Sequence, residues 1–306
     1  MRSFALAEIV VAGCVLAGCT TDAQVGSIDR CALGVRADDV TALEGEVAHP
    51  FDVLRYYHGW DDAPFPTAEE QATGHTILIS FNGKRMGANP LPFARVADPD
   101  DPEVSADLAA MAERVRAYGQ PIYLVFHDEA NGDTSFGTPA EYVAAYRRVV
   151  AAFRAAGATN VRWVLSLSSS AYPSVADAWY PGDDVVDYLG VTGFNWFNGA
   201  DTPWRTFAGV FASFFEWSHA HAKPLVIVST ASGENPNVEP GEAKSKATWF
   251  REARATIAGE PRLQLVVWFS VGSDDMVYKD WRVDSTQSSL GAFRELAHDP
   301  HFDVTP

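Results

Sequence analysis

Positive charge is scarce in this chain: 23 Lys and Arg stand against 40 Asp and Glu in 306 residues, a formal net charge of -17. Nucleic acid and anionic membrane surfaces select for clustered Lys and Arg, so neither is an expected partner, and a neutral ligand fits better. Cysteine is scarcer still, at three residues. Cleavage before Cys19 would remove Cys14 and leave Cys31 as the one unmodified thiol, which excludes an intrachain disulfide and makes Cys31 a packing residue. No His, Asp and Glu spacing reads as a metal-ligand set, and no Gly-rich loop follows an early strand to hold a phosphate, so neither metal nor cofactor is expected. No Pro/Ser linker, charge block or low-complexity run divides the chain. What remains, 47% hydrophobic and 21% charged, describes a folded chain with a sizeable core, expected to be one domain or one domain and a small appendage.

The N-terminus reads as a targeting segment. Arg2, an apolar run and Leu16-Ala17-Gly18-Cys19 precede a polar stretch, the order of a secretory leader. The four-residue end resembles a bacterial lipobox and would make Cys19 the lipidated first residue of the mature chain. Val11-Ala12-Gly13-Cys14 matches nearly as well, and Glu8 is unusual inside an apolar run. A plainly secreted protein and a retained anchor are the alternatives. The expected organisation is a leader over 1–19, a lead-in over 20–32 and one domain over 33–306. It would be secreted or held at the cell envelope, monomeric, and in contact with membrane only through the lipid on Cys19.

Past the leader, short β-rich runs alternate with longer helical patterns. Runs open at Cys31, Phe51, His75, Pro121, Val161, Val186, Pro224 and Leu263, eight in all. Most are continuously apolar, as strands are when both faces are covered. Among the helical patterns, one starts with Thr138 and Pro139 in N-cap and first-turn positions and closes at Gly157,. Eight βα units in roughly 270 residues predict a (β/α)8 TIM barrel, with a doubly wound open sheet as the rival.

In such a barrel the chemistry sits at the C-terminal ends of the strands. Those ends offer Tyr57, His58 and Trp60; Asn82; His127, Asp128, Glu129 and Asn131; Ser168 and Ser169; Asn195 and Trp196; Ser229, Thr230 and Ser232; and Trp268 followed by Asp274 and Asp275. A mouth that is aromatic and polar suits sugars, whose C–H faces stack on Trp while their hydroxyls bond to Asn, Asp and Ser. The expected substrate-binding set is Trp60, His127, Asp128, Asn131, Asn195, Trp196 and Trp268, with a polysaccharide or oligosaccharide as partner. Asp128 could equally cap the following turn. Glu129, at a strand end among aromatics, has a raised pKa available to it and could act as a general acid.

Several stretches together resemble the glycoside hydrolase family 26 β-mannanases: "HDEANGD", "YPGDDVVDYLGVTGFNW", "KPLVIVSTASG", "KATWF" and "VVWFS" with "DWRVD". The resemblance runs from about Leu33 to Phe302. It implies a retaining glycosidase acting on β-mannan or a related β-linked glycan, with an acid/base Glu after strand four and a nucleophile Glu after strand seven, the two carboxyls about 5–5.5 Å apart. The acid/base maps to Glu129, with Asn131 and Gly132 matching. The preceding His of the family pattern is Asp128 here, and His127 is displaced by one. At strand seven Ser229 stands where the nucleophile belongs, and Phe194 replaces the strand-six Tyr that orients it. A serine hydroxyl has neither the charge to stabilise an oxocarbenium-like state nor an apparent base beside it. Three readings follow: a divergent hydrolase that draws its second carboxylate from Asp128, Glu234 or Asp274/Asp275, a silent barrel that binds glycan, or a surface scaffold with no glycan role.

Overall fold

The computed structural model describes residues 30–62, 64–87, 89–197, 202–272 and 279–302. The leader, with Cys14 and Cys19, and the pair Asp274/Asp275 lie outside the described residues. Eight strands form where the apolar runs predict them: β1 (Ala32–Ala37), β2 (Val53–His58), β3 (Thr76–Phe81), β4 (Ile122–Phe126), β5 (Val161–Ser168), β6 (Tyr188–Asn195), β7 (Leu225–Ser232) and β8 (Leu263–Ser270). All pair in parallel and in chain order, and β8 closes on β1, giving the expected (β/α)8 barrel rather than an open sheet.

The helices between strands are set by local signals that the sequence carries. The helix Pro139–Ala155 opens on a capping box in which the Thr138 hydroxyl accepts from the Glu141 amide while the Glu141 carboxylate accepts from the Thr138 amide,. It ends before Gly157, whose φ of +76° is the left-handed conformation a helix stop requires,. The helix Pro102–Tyr118 starts on a simple Asp101 cap, whose carboxylate accepts from the Val104 amide, and stops at Gly119.

Two apolar layers result. Val53, Leu78, Val125, Val164, Val226, Val228, Leu265 and Val267 fill the barrel interior. A larger layer, with Trp163, Phe211, Trp249 and Trp268, lies between strands and helices. Gly190 belongs to the interior: a Cβ there would meet the Leu165 carbonyl at 2.2 Å and Val228 Cγ2 at 2.7 Å, so only glycine lets β6 pass. Cys31 is fully buried, consistent with packing, and its amide donates to the His301 carbonyl, joining the two ends of the described barrel.

One irregularity bears on the site. Along β6 and β7, Val191 pairs with Ile227 but Thr192 pairs with Ser229, so Val228 is an extra residue in β7. The β7–β8 register slips over the same stretch. A bulge of this kind re-aims side chains. Here it leaves Val228 in the interior layer and brings Ser229 level with Thr192 near the top of the barrel.

Candidate active site

At the end of β4 the backbone turns left-handed twice, with φ of +56° at His127 and +52° at Glu129. Non-glycine residues adopt this conformation at a cost, and it collects at functional sites. The turns send three successive side chains to three places. His127 is buried, its ring edge-on to Phe93 at 4.8 Å and Phe136 at 4.3 Å, and burial drives its pKa down to about 4. It is a neutral packing residue, not the sugar contact expected of it.

Asp128 turns into the barrel. One carboxylate oxygen accepts from Arg55 Nη2, and the other accepts from the Ser166 hydroxyl and, at 3.1 Å, from the Thr192 hydroxyl. Arg55 is 1% exposed on β2 and also donates to the Val228 carbonyl at 2.7 Å and to the Ser80 hydroxyl at 3.1 Å. A buried guanidinium needs a paired carboxylate, and Asp128 supplies it. Neither capping nor substrate binding is where this carboxylate is spent.

Glu129 stays half-buried at the mouth, its amide bonded to the Ser166 carbonyl at 3.0 Å. Its pKa is pushed up to about 7, first by burial and then by the neighbouring Asp128, against an opposing pull from Arg55,. The carboxyl therefore keeps its proton near neutral pH, the state a general acid or a hydrogen-bond donor needs. Asn131 fixes the turn from below, its side-chain oxygen accepting from the Ser168 amide at 2.9 Å.

Across the barrel, Ser229 is 1% exposed and its hydroxyl has no well-formed hydrogen bond among the described residues; Arg55 Nε is unpartnered there. Tyr57 from β2 lies over the Arg55 guanidinium at 4.4 Å; burial raises the pKa of its phenol, against the pull of Arg55 and a weak hydrogen bond with the Ser229 hydroxyl. Glu234, a candidate second carboxylate, is committed elsewhere. One of its oxygens accepts from the hydroxyls of Ser285 at 2.7 Å, Thr286 at 3.1 Å and Ser289 at 2.6 Å, anchoring the start of the helix Gln287–Ala297.

The rim differs from expectation in its aromatics. Trp196 is 53% exposed and makes an edge contact with Trp281 at 5.1 Å, and Phe194 touches both, as well as Phe269. These four rings form a wall over the ends of β6 and β8. Trp268 is not part of it. Fully buried, it packs outward against Trp249, Phe250 and Phe293. Trp60 is 5% exposed and donates to Asp107 on the flanking helix at 2.7 Å. Asn195 is fully buried, donating to Ser232 and accepting from the Arg205 amide, both at 3.0 Å. Of the expected binding set, Trp196 alone presents a large open surface. Arg55, Ser166, Thr192, Phe269 and Trp281 were not singled out by the sequence reading.

Among the described residues, no group of three or more His, Cys, Asp or Glu could hold a metal ion. A closed parallel (β/α)8 barrel with a half-buried acid and an aromatic wall at its mouth is glycoside-hydrolase-like in fold, and the comparisons agree at that level. No family model matches the chain. Endoglucanase H of Acetivibrio thermocellus is 32% identical over 207 residues, 63% of this chain but 22% of that protein. A β-1,3-xylanase of a Vibrio species is 26% identical over 128 residues, 41% of this chain and 26% of the xylanase. The chain thus spans about a quarter or less of the length of these relatives. Among solved structures, the modular endo-β-1,4-mannanase of Cellulomonas fimi superimposes with a TM-score of 0.64 at 17% identity, over 90% of this chain and 72% of that one. A family 26 protein of Muricauda sp. gives 0.65 at 14% identity, over 92% and 89%. The fold is that of the family 26 mannanases.

Proposed function

We propose that the barrel binds a β-linked polysaccharide across its mouth, with Glu129 as a protonated carboxyl facing the glycosidic oxygen and the Trp196–Trp281 wall stacking on sugar faces, and that it does not carry out double displacement. The observation that supports this best is the fate of the candidate carboxylates. Ser229 stands where the family resemblance would put the nucleophile, Asp128 is held by Arg55, Ser166 and Thr192, and Glu234 by three hydroxyls of another segment. Neither carboxylate is free to attack an anomeric carbon or to deprotonate a water beside it. β-Mannan and related β-linked glycans are the ligand class, in keeping with the mannanases, endoglucanase and xylanase that resemble the chain. The leader pattern supports a place at the cell envelope, held by a lipid on Cys19, which mass spectrometry of the mature N-terminus would test.

A second reading is favoured by the pKa of Glu129 itself. A carboxyl poised near 7 is what an inverting glycosidase requires of its acid, and Asp274 or Asp275 would then supply the base,.

The test is reducing-end release from β-mannan, glucomannan, xylan and mixed-linkage glucan by wild type and Glu129→Gln, beside affinity electrophoresis on the same polymers. The expected result is retardation by at least one polymer without release. Release by wild type that Glu129→Gln abolishes would establish the hydrolytic reading instead. Absence of both binding and release would exclude a glycan role for this mouth.

A further inference from the structure

Lys246 is the first residue of the helix Lys246–Ala258 and is completely buried. A cation is poorly placed there. The N-terminus of a helix carries the positive end of its dipole, and burial adds the cost of desolvating an ammonium. That cost shows in a pKa lowered to about 8, chiefly by burial, with Glu234, Asp280 and Asp284 opposing the shift and Arg282 adding to it. Among the described residues no carboxylate forms an ion pair with it. Its three partners are instead the Asp280 carbonyl at 3.0 Å, the Arg282 carbonyl at 2.5 Å and the Ser285 hydroxyl at 2.9 Å.

Those two carbonyls flank Trp281. The ring between them is 8% exposed and is the inner member of the aromatic wall, 5.1 Å from Trp196 and 5.4 Å from Phe194. The same segment is held from its far side, since the Ser285 hydroxyl that accepts from Lys246 donates to Glu234. The Trp281 amide donates to the Val271 carbonyl at 3.1 Å. An ordinary packing position would take an apolar side chain here; three converging acceptors, two of them backbone, call for an ammonium.

We propose that Lys246 is a positioning residue for glycan recognition: its ammonium brackets the backbone on both sides of Trp281 and so fixes the face that the aromatic wall presents. The glycan part rests on the reading of the mouth given above, while the bracketing of Trp281 does not. Without the ammonium the two carbonyls lose their shared donor, the Trp281 backbone is held from one side only, and the ring leaves its register with Trp196.

The experiment uses protein labelled with 5-fluorotryptophan, with the Trp281 and Trp196 fluorine resonances assigned through Trp281→Phe and Trp196→Phe. In Lys246→Met both resonances should shift or broaden in the absence of ligand. Affinity for whichever glycan wild type binds should fall roughly threefold to tenfold, the worth of a misplaced aromatic contact. In a Trp281→Ala background Lys246→Met should have no further effect on affinity, because coupled positions are non-additive. Unshifted resonances, or additive losses in the double variant, would overturn the proposal. Should Lys246→Met fail to fold, Ser285→Ala removes one partner of the ammonium and must still move the Trp281 resonance; an unmoved signal is equally fatal. If wild type binds no glycan, the reading of the mouth fails, and the ligand-free spectra still decide whether Lys246 holds Trp281.

Discussion

The ends of β4 and β7 face each other across one barrel and have been furnished in opposite ways. At β4, two left-handed residues place a pair of adjacent carboxylates, and each has a defined environment: Asp128 is saturated with donors, and Glu129 is left half-buried and protonated. At β7, a bulge raises position 229 level with Thr192, and a hydroxyl without a well-formed hydrogen bond stands there. Both ends have a defined backbone geometry, whereas a carboxylate is present at one. Placing a group and choosing its chemistry are separable: the bulge belongs to the pairing of β6, β7 and β8, while the charge belongs to a single side chain.

The strongest way to break the contrast is to give β7 a carboxylate. Ser229→Glu should bring reducing-end release from a bound β-glycan from none in wild type to a measurable rate, because it supplies the carboxylate that double displacement needs. Arg55 Nε has no partner among the described residues, and the same guanidinium already donates to the carbonyl of the preceding Val228, so a donor is at hand for the new carboxylate. Release that stays at the wild-type level would mean that Tyr57 or Phe194 also bars the double displacement.

Next in size is the loss of the β4 network. Asp128→Ala strands the Arg55 guanidinium in the barrel without its counter-charge, and removing one member of a buried pair costs about 3 kcal/mol. Urea denaturation at neutral pH reads this directly. A loss under about 1 kcal/mol would show that the interior polar layer is wetter than its burial implies.

Strand positions were legible because each run is short, apolar and bounded by turn signals, and because the helices carry explicit caps such as Thr138 and Glu141. Which way each side chain points was not. In strands covered on both faces the alternation of polar and apolar residues that would set the parity is missing. Trp268 was therefore expected at the mouth when its neighbour Phe269 is the residue beside Phe194. Parity could have been taken from Arg55, a lone cation in the run "VLRYYH", which must face a carboxylate on another strand. The bulge at Val228 is a property of three strands together, and no single stretch of sequence encodes it. Trp281 lies beyond the end of β8, and only the fold brings it to Trp196.

A smaller effect sharpens the contrast from the β4 side through pH. The Glu129 carboxyl titrates near its ordinary 4.5 when unfolded and near 7 when folded. Between these values the folded chain holds a proton that the unfolded chain has lost, so stability falls as pH rises through the window. Glu129→Gln removes that dependence. Relative to wild type it should gain about 1–2 kcal/mol at pH 8 over its value at pH 4, solvent screening at this half-buried site being allowed for. Thermal melts of both proteins across that range would show the curves diverging upward from about pH 5. Parallel curves would mean that Glu129 is ionised in the folded state, which removes its standing as an acid.

The least effect is expected at Ser229, and its smallness is informative. Ser229→Ala deletes a buried hydroxyl with no well-formed hydrogen bond among the described residues and at most a weak one with the Tyr57 phenol. Removing an unsatisfied polar group is neutral or slightly stabilising, within about 0.5 kcal/mol of wild type, whereas removing one that is hydrogen-bonded strands its partner and costs about 1–3 kcal/mol. Chemical denaturation of Ser229→Ala beside Asp128→Ala therefore compares the two strand ends on one scale. A neutral result leaves position 229 as a place the fold still builds and nothing in the barrel depends on. A loss of about 1 kcal/mol or more would show that the hydroxyl holds a partner, with the Tyr57 phenol the nearest candidate, and that β7 has acquired a polar contact of its own in place of the carboxylate.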